Sequence, residues 1–145
     1  MGELSELDEL ELAFLADRED CLPQLADWFT RAFATWFAPG TGRDAAATFR
    51  LRRDGIPCAF VALEHGSPVG TVSLMTASIE PYAHLTPWVG GLFVAPAARS
   101  RGVGMALVAH AVQTAACFGV QGLHVAVHAR PDVYVAAGWE LLEST

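Results

Sequence analysis

Lysine is absent from this chain of 145 residues, whose nine basic side chains are all arginine. A P-loop needs a lysine to reach the phosphates, so nucleotide chemistry of that type is excluded. Cysteine is scarce: Cys21, Cys58 and Cys117 are an odd number, far apart and set among apolar residues. They make no disulfide framework and read as buried reduced thiols rather than as catalytic groups. Although 52 % of the residues are hydrophobic, no apolar run is long enough to span a membrane. The N-terminus is acidic where an export signal would be basic, so the expected location is the cytoplasm, with no membrane partner. The net charge is −7 and no basic patch alternates with aromatics, which leaves nucleic acid unsupported as a partner. Eight of the sixteen acids lie within residues 1–20, so the charge describes that end of the chain more than any site. An amine substrate is compatible with it.

Nothing divides the chain: there is no linker, repeat or compositional break, and 1–145 reads as one domain. Glu11 to Arg18 reads as a first strand. Asp20 offers an N-cap and Pro23 a first helical turn for a helix reaching Phe33, with Leu22, Leu25, Phe29 and Phe33 on one stripe. A second helix is predicted from about Arg43 to Arg53, its arginines in water. Pro57 to Leu63 and Val69 to Ser78 are β-rich and joined by Glu64-His-Gly-Ser-Pro68, the pattern of a hairpin. Trp88 to Val94 is a further strand, in which Gly90-Gly91 suits a bulge or a close approach of another backbone. A long amphipathic helix follows from Val103 to Phe118, then a strand from Leu123 to His128 and a short helix near Pro131 to Ala137.

The most informative stretch is Arg99-Ser100-Arg101-Gly102-Val103-Gly104, because it lies between a strand and the long helix. The first N–H groups of a helix have no intrahelical acceptor and carry the positive end of its dipole, so a diphosphate can complete them. Gly102 and Gly104 have no Cβ to obstruct it. Arg99 and Arg101 would add charged donors to phosphate oxygens. A dinucleotide fingerprint fits less well, because its third glycine is replaced by Leu107 and no acidic residue follows at the required distance.

Arg-x-x-Gly-x-Gly between strand and helix resembles the acetyl-CoA-binding motif of the GCN5-related N-acetyltransferase (GNAT) superfamily. Val94-Ala-Pro-Ala-Ala-Arg99 is similar to that family's lead-in to the loop, and Tyr134-Val-Ala-Ala-Gly-Trp139 to its Tyr-x-x-x-Gly-aromatic signature. The resemblance is specific from about Trp88 to Trp139. It implies an α/β fold of order β-α-α-β-β-β-α-β-α-β: a mixed, mostly antiparallel sheet, splayed between strands 4 and 5 and flanked by helices. The family usually carries strands beyond this point. This chain ends six residues after Trp139, so a C-terminal strand is missing from the expected pattern, through truncation, an open substrate side or completion by a second copy in a homodimer.

The resemblance also implies a chemistry, namely acetyl transfer from acetyl-CoA, as co-substrate and without a metal, to a small-molecule or peptide primary amine in a ternary complex. Backbone groups of Leu92, Phe93 and Val94 would bond the pantetheine arm, and Arg99, Ser100, Arg101, Gly102, Val103 and Gly104 would hold the diphosphate. Tyr134 would be the general acid, since a phenol can protonate a departing thiolate. Glu80, in the loop leading to the Trp88 strand, is the candidate general base and His84 its rival, although a solvated loop residue is the plainer reading of either. His124 and His128 share a strand face but lack a third ligand for zinc. His110 reads as a boundary residue of the long helix. Trp36, Trp88 and Phe37 fit a substrate pocket or a core equally well. The alternative to an enzyme is a non-catalytic acyl-CoA-binding or dimeric interaction module with the same fold.

Overall fold

The computed structural model describes residues 10–42, 44–76, 86–99, 101–125, 134 and 139. Its order is β1 (Leu10–Phe14), α1 (Leu22–Ala32), β2 (Cys58–Glu64), β3 (Ser67–Met75), β4 (Trp88–Val94), α2 (Val103–Cys117) and β5 (His124–Val125). The strands form one sheet in the order β1-β2-β3-β4-β5, antiparallel except for the parallel β4–β5 pair. This is the mixed, mostly antiparallel α/β sheet that the resemblance implied. The expected splay between strands 4 and 5 concerns positions after Val125, which lie outside the described residues.

β2 lies between β1 and β3 and is buried on both faces, which is why it reads as an unbroken apolar run rather than an alternating one. Cys58, Phe60 and Ala62 face α2, where Val103, Leu107, Val108, Ala111 and Ala115 cover them. Ala59, Val61 and Leu63 face the opposite way, against Leu25 and Phe29 of α1 together with Leu15 and Phe49. The two helices thus seal one sheet from opposite sides. No helix among the described residues is long and apolar enough to cross a membrane.

Several sequence readings change. β1 ends at Phe14, and Leu15–Asp17 turns as a 3₁₀ helix that carries Leu15 into the core. Asp20 does not cap α1. Its carboxylate takes two hydrogen bonds from the Arg18 guanidinium, at 3.0 and 2.9 Å, which hold it below the usual carboxylate range. The predicted helix over 43–53 is only a 3₁₀ turn, Ala45–Thr48, with the Asp44 side chain accepting from the Ala46 N–H. An eleven-residue helix is marginal without packing. Here Ala45 and Phe49 enter the α1-side core, Phe49 lying 4.7 Å from the Phe29 ring, while the following backbone is extended. Arg50, Arg52 and Arg53 are exposed as predicted. Cys117 ends α2 and is exposed, unlike buried Cys21 and Cys58. Burial pushes the Cys58 thiol up to about 11.

Leu107 is fully buried where α2 crosses the sheet. Leu107→Ala is predicted to cost about 2–5 kcal/mol, measured as a lower urea midpoint at unchanged slope; a loss under 1 kcal/mol would contradict this account of the core.

Candidate active site

β4 carries one residue more than β3 can pair. Thr71 lies opposite Phe93 and Ser73 opposite Gly90, so the ladder slips at Gly91–Leu92. Gly91 has φ 60, a left-handed value that suits glycine, and the Phe29 ring lies 3.6 Å from where its Cβ would stand. Of the two readings that Gly90-Gly91 left open, this is the bulge. An extra residue leaves its own backbone groups off the ladder. On the other edge of β4, the pairing with β5 covers Trp88 and Val89 only, among the described residues.

Beyond the bulge the side chains alternate. Leu92 and Val94 point towards α2, whereas Phe93 points towards α1 and stacks on Trp28 at 5.4 Å. Ala95 to Arg99 turn through the 3₁₀ segment Pro96–Ala98, anchored by the Ala95 N–H to the Val69 carbonyl at 2.8 Å. Gly102 then caps α2 with φ 83 and ψ 7, a left-handed conformation in which a Cβ would be strained. The first intrahelical bond runs from the Ala106 N–H to the Gly102 carbonyl, and Gly102 offers no side-chain acceptor to the N–H groups of Val103, Gly104 and Met105.

Those donors open on a cleft of about 240 Å³ lined by Leu92, Val94, Ala98, Arg99, Gly102, Val103, Gly104 and Met105. A Cβ on Gly104 would stand 3.6 Å from Val94 Cγ2, so the missing methyl belongs to the wall of the cleft. Arg99 is fixed at its rim: Nε donates to the Val94 carbonyl at 2.8 Å and the guanidinium lies 5.5 Å from the Phe93 ring centroid. Arg101 turns elsewhere. It does not line the cleft and pairs with Glu64 at 3.0 Å, the two side chains being 24 % and 22 % exposed.

A comparison with protein-family models matches the acetyltransferase (GNAT) family over residues 22–137. The chain belongs to that family. Its fold is similar to that of a GCN5-related N-acetyltransferase from Ralstonia eutropha JMP134, with 25 % identity, 94 % of this chain and 96 % of that one covered, and a TM-score of 0.61. It is also similar to the aminoglycoside acetyltransferase meta-AAC0020 from an uncultured soil metagenomic sample (19 % identity, 95 % and 93 % covered, TM-score 0.67). A third similar structure is AAC(6')-Iy in complex with the bisubstrate analogue CoA-S-monomethyl-acetylneamine (20 % identity, 94 % and 94 % covered, TM-score 0.65). No curated protein sequence matches.

Within this GNAT acetyltransferase, the cleft gathers Leu92, Val94, Arg99, Gly102, Val103 and Gly104 from the predicted set and adds Ala98 and Met105. Met105, third residue of the helix, was open to the argument that singled out Gly104. Tyr134 is helical and half-buried against the α2-side core, its ring 6.2 Å from that of Trp139. It is not part of the cleft wall. Ser100, Glu80, His84 and His128 lie outside the described residues. Trp88 is core, Phe37 packs on the α1-side core, and Trp36 is 57 % exposed. His110 meets the Phe60 ring edge-on at 5.1 Å, and burial lowers its pKa. His124 Nδ1 lies 3.1 Å from the Pro87 carbonyl oxygen. Among the described residues no three His, Cys, Asp or Glu converge as metal ligands.

Burial raises the Tyr134 pKa above its ordinary 10, so the phenol keeps its proton through neutral and mildly alkaline pH. The folded-state value exceeds the unfolded one. Its contribution to stability is therefore complete below pH about 10 and lost as pH rises through the folded value. Phenolate absorbance should show a late-titrating component that Tyr134→Phe removes, leaving that of Tyr82, the other tyrosine of the chain; if the component removed by the substitution titrates at or below the free-tyrosine value, the burial is contradicted.

Proposed function

We propose that the chain is an acetyl-CoA-dependent N-acetyltransferase that transfers the acetyl group to a primary amine by direct attack in a ternary complex. The observation that carries this reading is the cleft at the start of α2, where uncapped backbone donors, two glycines and the Arg99 guanidinium share one surface with the end of β4. Gly102, Val103 and Gly104, with Ser100 from its place in the motif, would hold the diphosphate, and Arg99 would add charge-assisted hydrogen bonds. Backbone groups of Leu92, Phe93 and Val94 would meet the pantetheine amides as a neighbouring strand does. The cofactor, when bound, supplies the acetyl group as a thioester.

At the bulge, the backbone N–H displaced from the ladder is the donor suited to the carbonyl oxygen as charge develops on it. Tyr134 Oη holds a proton at neutral pH and is assigned its transfer to the departing sulfur. Glu80 is the candidate acceptor of the proton released by the amine, directly or through water. The likeness to aminoglycoside acetyltransferases supports a small-molecule amine as acceptor, and a peptide amine would obey the same chemistry.

Thiol release from acetyl-CoA across an amine panel tests the reading, and CoA uptake with no turnover on any amine would sink the enzymatic assignment. Tyr134→Phe should leave CoA affinity unchanged while lowering kcat by roughly 10²-fold or more; normal turnover would remove Tyr134 as the acid. Gly104→Leu places a side chain in the cleft wall but favours helix by about 1 kcal/mol. Its Tm should hold or rise while the KM for acetyl-CoA climbs at least about tenfold, and an unchanged KM would move the cofactor elsewhere.

A further inference from the structure

We propose that Glu64 is a positioning residue for the cofactor loop, acting through Arg101; the inference rests on the cleft at the start of α2 being the acetyl-CoA site. The loop needs an external anchor, since Gly102 holds a left-handed φ and glycine gives up the most backbone freedom on ordering. Up to Arg99 the segment is tied down locally, by the Ala98 N–H to the Ala95 carbonyl and by Arg99 Nε to the Val94 carbonyl. At Arg101 the tie becomes long-range.

Its partner is well chosen as a fixed point. Glu64 closes β2, whose preceding six residues are all buried, and it is held in register between Leu10 of β1 and Ser67 of β3. The turn beside it is fastened from the opposite side, where Arg18 Nη2 donates to the Gly66 carbonyl at 3.2 Å. Both partners of the Arg101–Glu64 pair are about three-quarters buried, unlike the exposed Asp27–Arg31 pair on α1, so solvent screens it less. The residue next to the N-cap is thereby fixed to the paired end of β2. Phosphate recognition by amide N–H groups depends steeply on direction, and the carboxylate holds that direction without touching the ligand.

The two arginines of the motif therefore divide the work. Arg99 is at the rim of the cleft, and Arg101 fixes the frame. Two readings separate cleanly. If Arg101 held the cofactor directly, freeing it from Glu64 would leave binding unchanged or tighten it. If the pair is a clamp, losing either partner weakens binding equally.

The test is steady-state kinetics and CoA calorimetry on the full chain carrying Glu64→Gln, Arg101→Gln, both together, and Asp27→Asn as a surface control. Each single variant at the clamp should raise the KM for acetyl-CoA and the Kd for CoA about tenfold. At saturation kcat should stay within about twofold and the KM for the amine should not move, a split that general loss of stability would not produce. The double variant should be no weaker than either single one, and Asp27→Asn should be neutral. Arg101→Lys, which keeps the charge but not the forked geometry, should fall between wild type and Arg101→Gln. Unchanged or tighter binding by Glu64→Gln, or additive losses in the double variant, overturns the clamp while leaving the cofactor site standing. A wild-type chain that takes up no CoA overturns the site and the clamp together.

Discussion

The rest of the site depends on a row of amide hydrogens that nothing in the described chain caps. The first turn of α2 begins at Gly102 in a left-handed conformation, immediately beyond the end of β4, and its donors face a cleft rather than a protein acceptor. The first N–H groups of a helix have no intrahelical acceptor, so water or a bound acceptor completes these. The packing of α2 on the sheet through Val103 and Leu107 keeps that helix start where it is.

The β4 bulge is the second half of the same arrangement. In a regular strand the backbone groups of this stretch that face β3 would all lie on its ladder. The extra residue frees one, and the Phe29 ring fills the space beside Gly91. Phe93, just beyond, is held between Trp28 of α1 and the guanidinium of Arg99. A single apolar side chain thus connects the helix on one face of the sheet to the rim of the cleft on the other side of the chain's turn.

Much of the fold was legible in the sequence, for identifiable reasons. The strand from Trp88 to Val94 and the start of the long helix at Val103 were placed to the residue, because apolar runs bounded by glycine and proline leave few alternatives. Gly90-Gly91 left a bulge and a close backbone approach open, and the ladder is bulged. The hairpin was announced by residue type, although Glu64, Ser67 and Pro68, read as loop, belong to the strands and only His65-Gly66 turns. The segment from 43 to 53 was not, since its alanines and arginines satisfy helical spacing while Phe49 is drawn into the α1-side core instead. Asp20 looked like a cap and is engaged by Arg18. Cys117 looked buried by its neighbours and stands on the open face of α2.

By itself the sequence determined which backbone stretches could be strand or helix and singled out the Arg99–Gly104 segment as the candidate diphosphate site, because those properties are local to residue type and spacing. Only the tertiary structure decided how the two arginines of that segment divide, one at the rim of the cleft and the other on Glu64. Nothing in the spacing links Arg101 to Glu64. They meet because β2 pairs in register beside β3, β3 beside β4, and the turn into α2 returns the chain over the end of that sheet. An ion pair between groups so distant along the chain exists only once the sheet has formed.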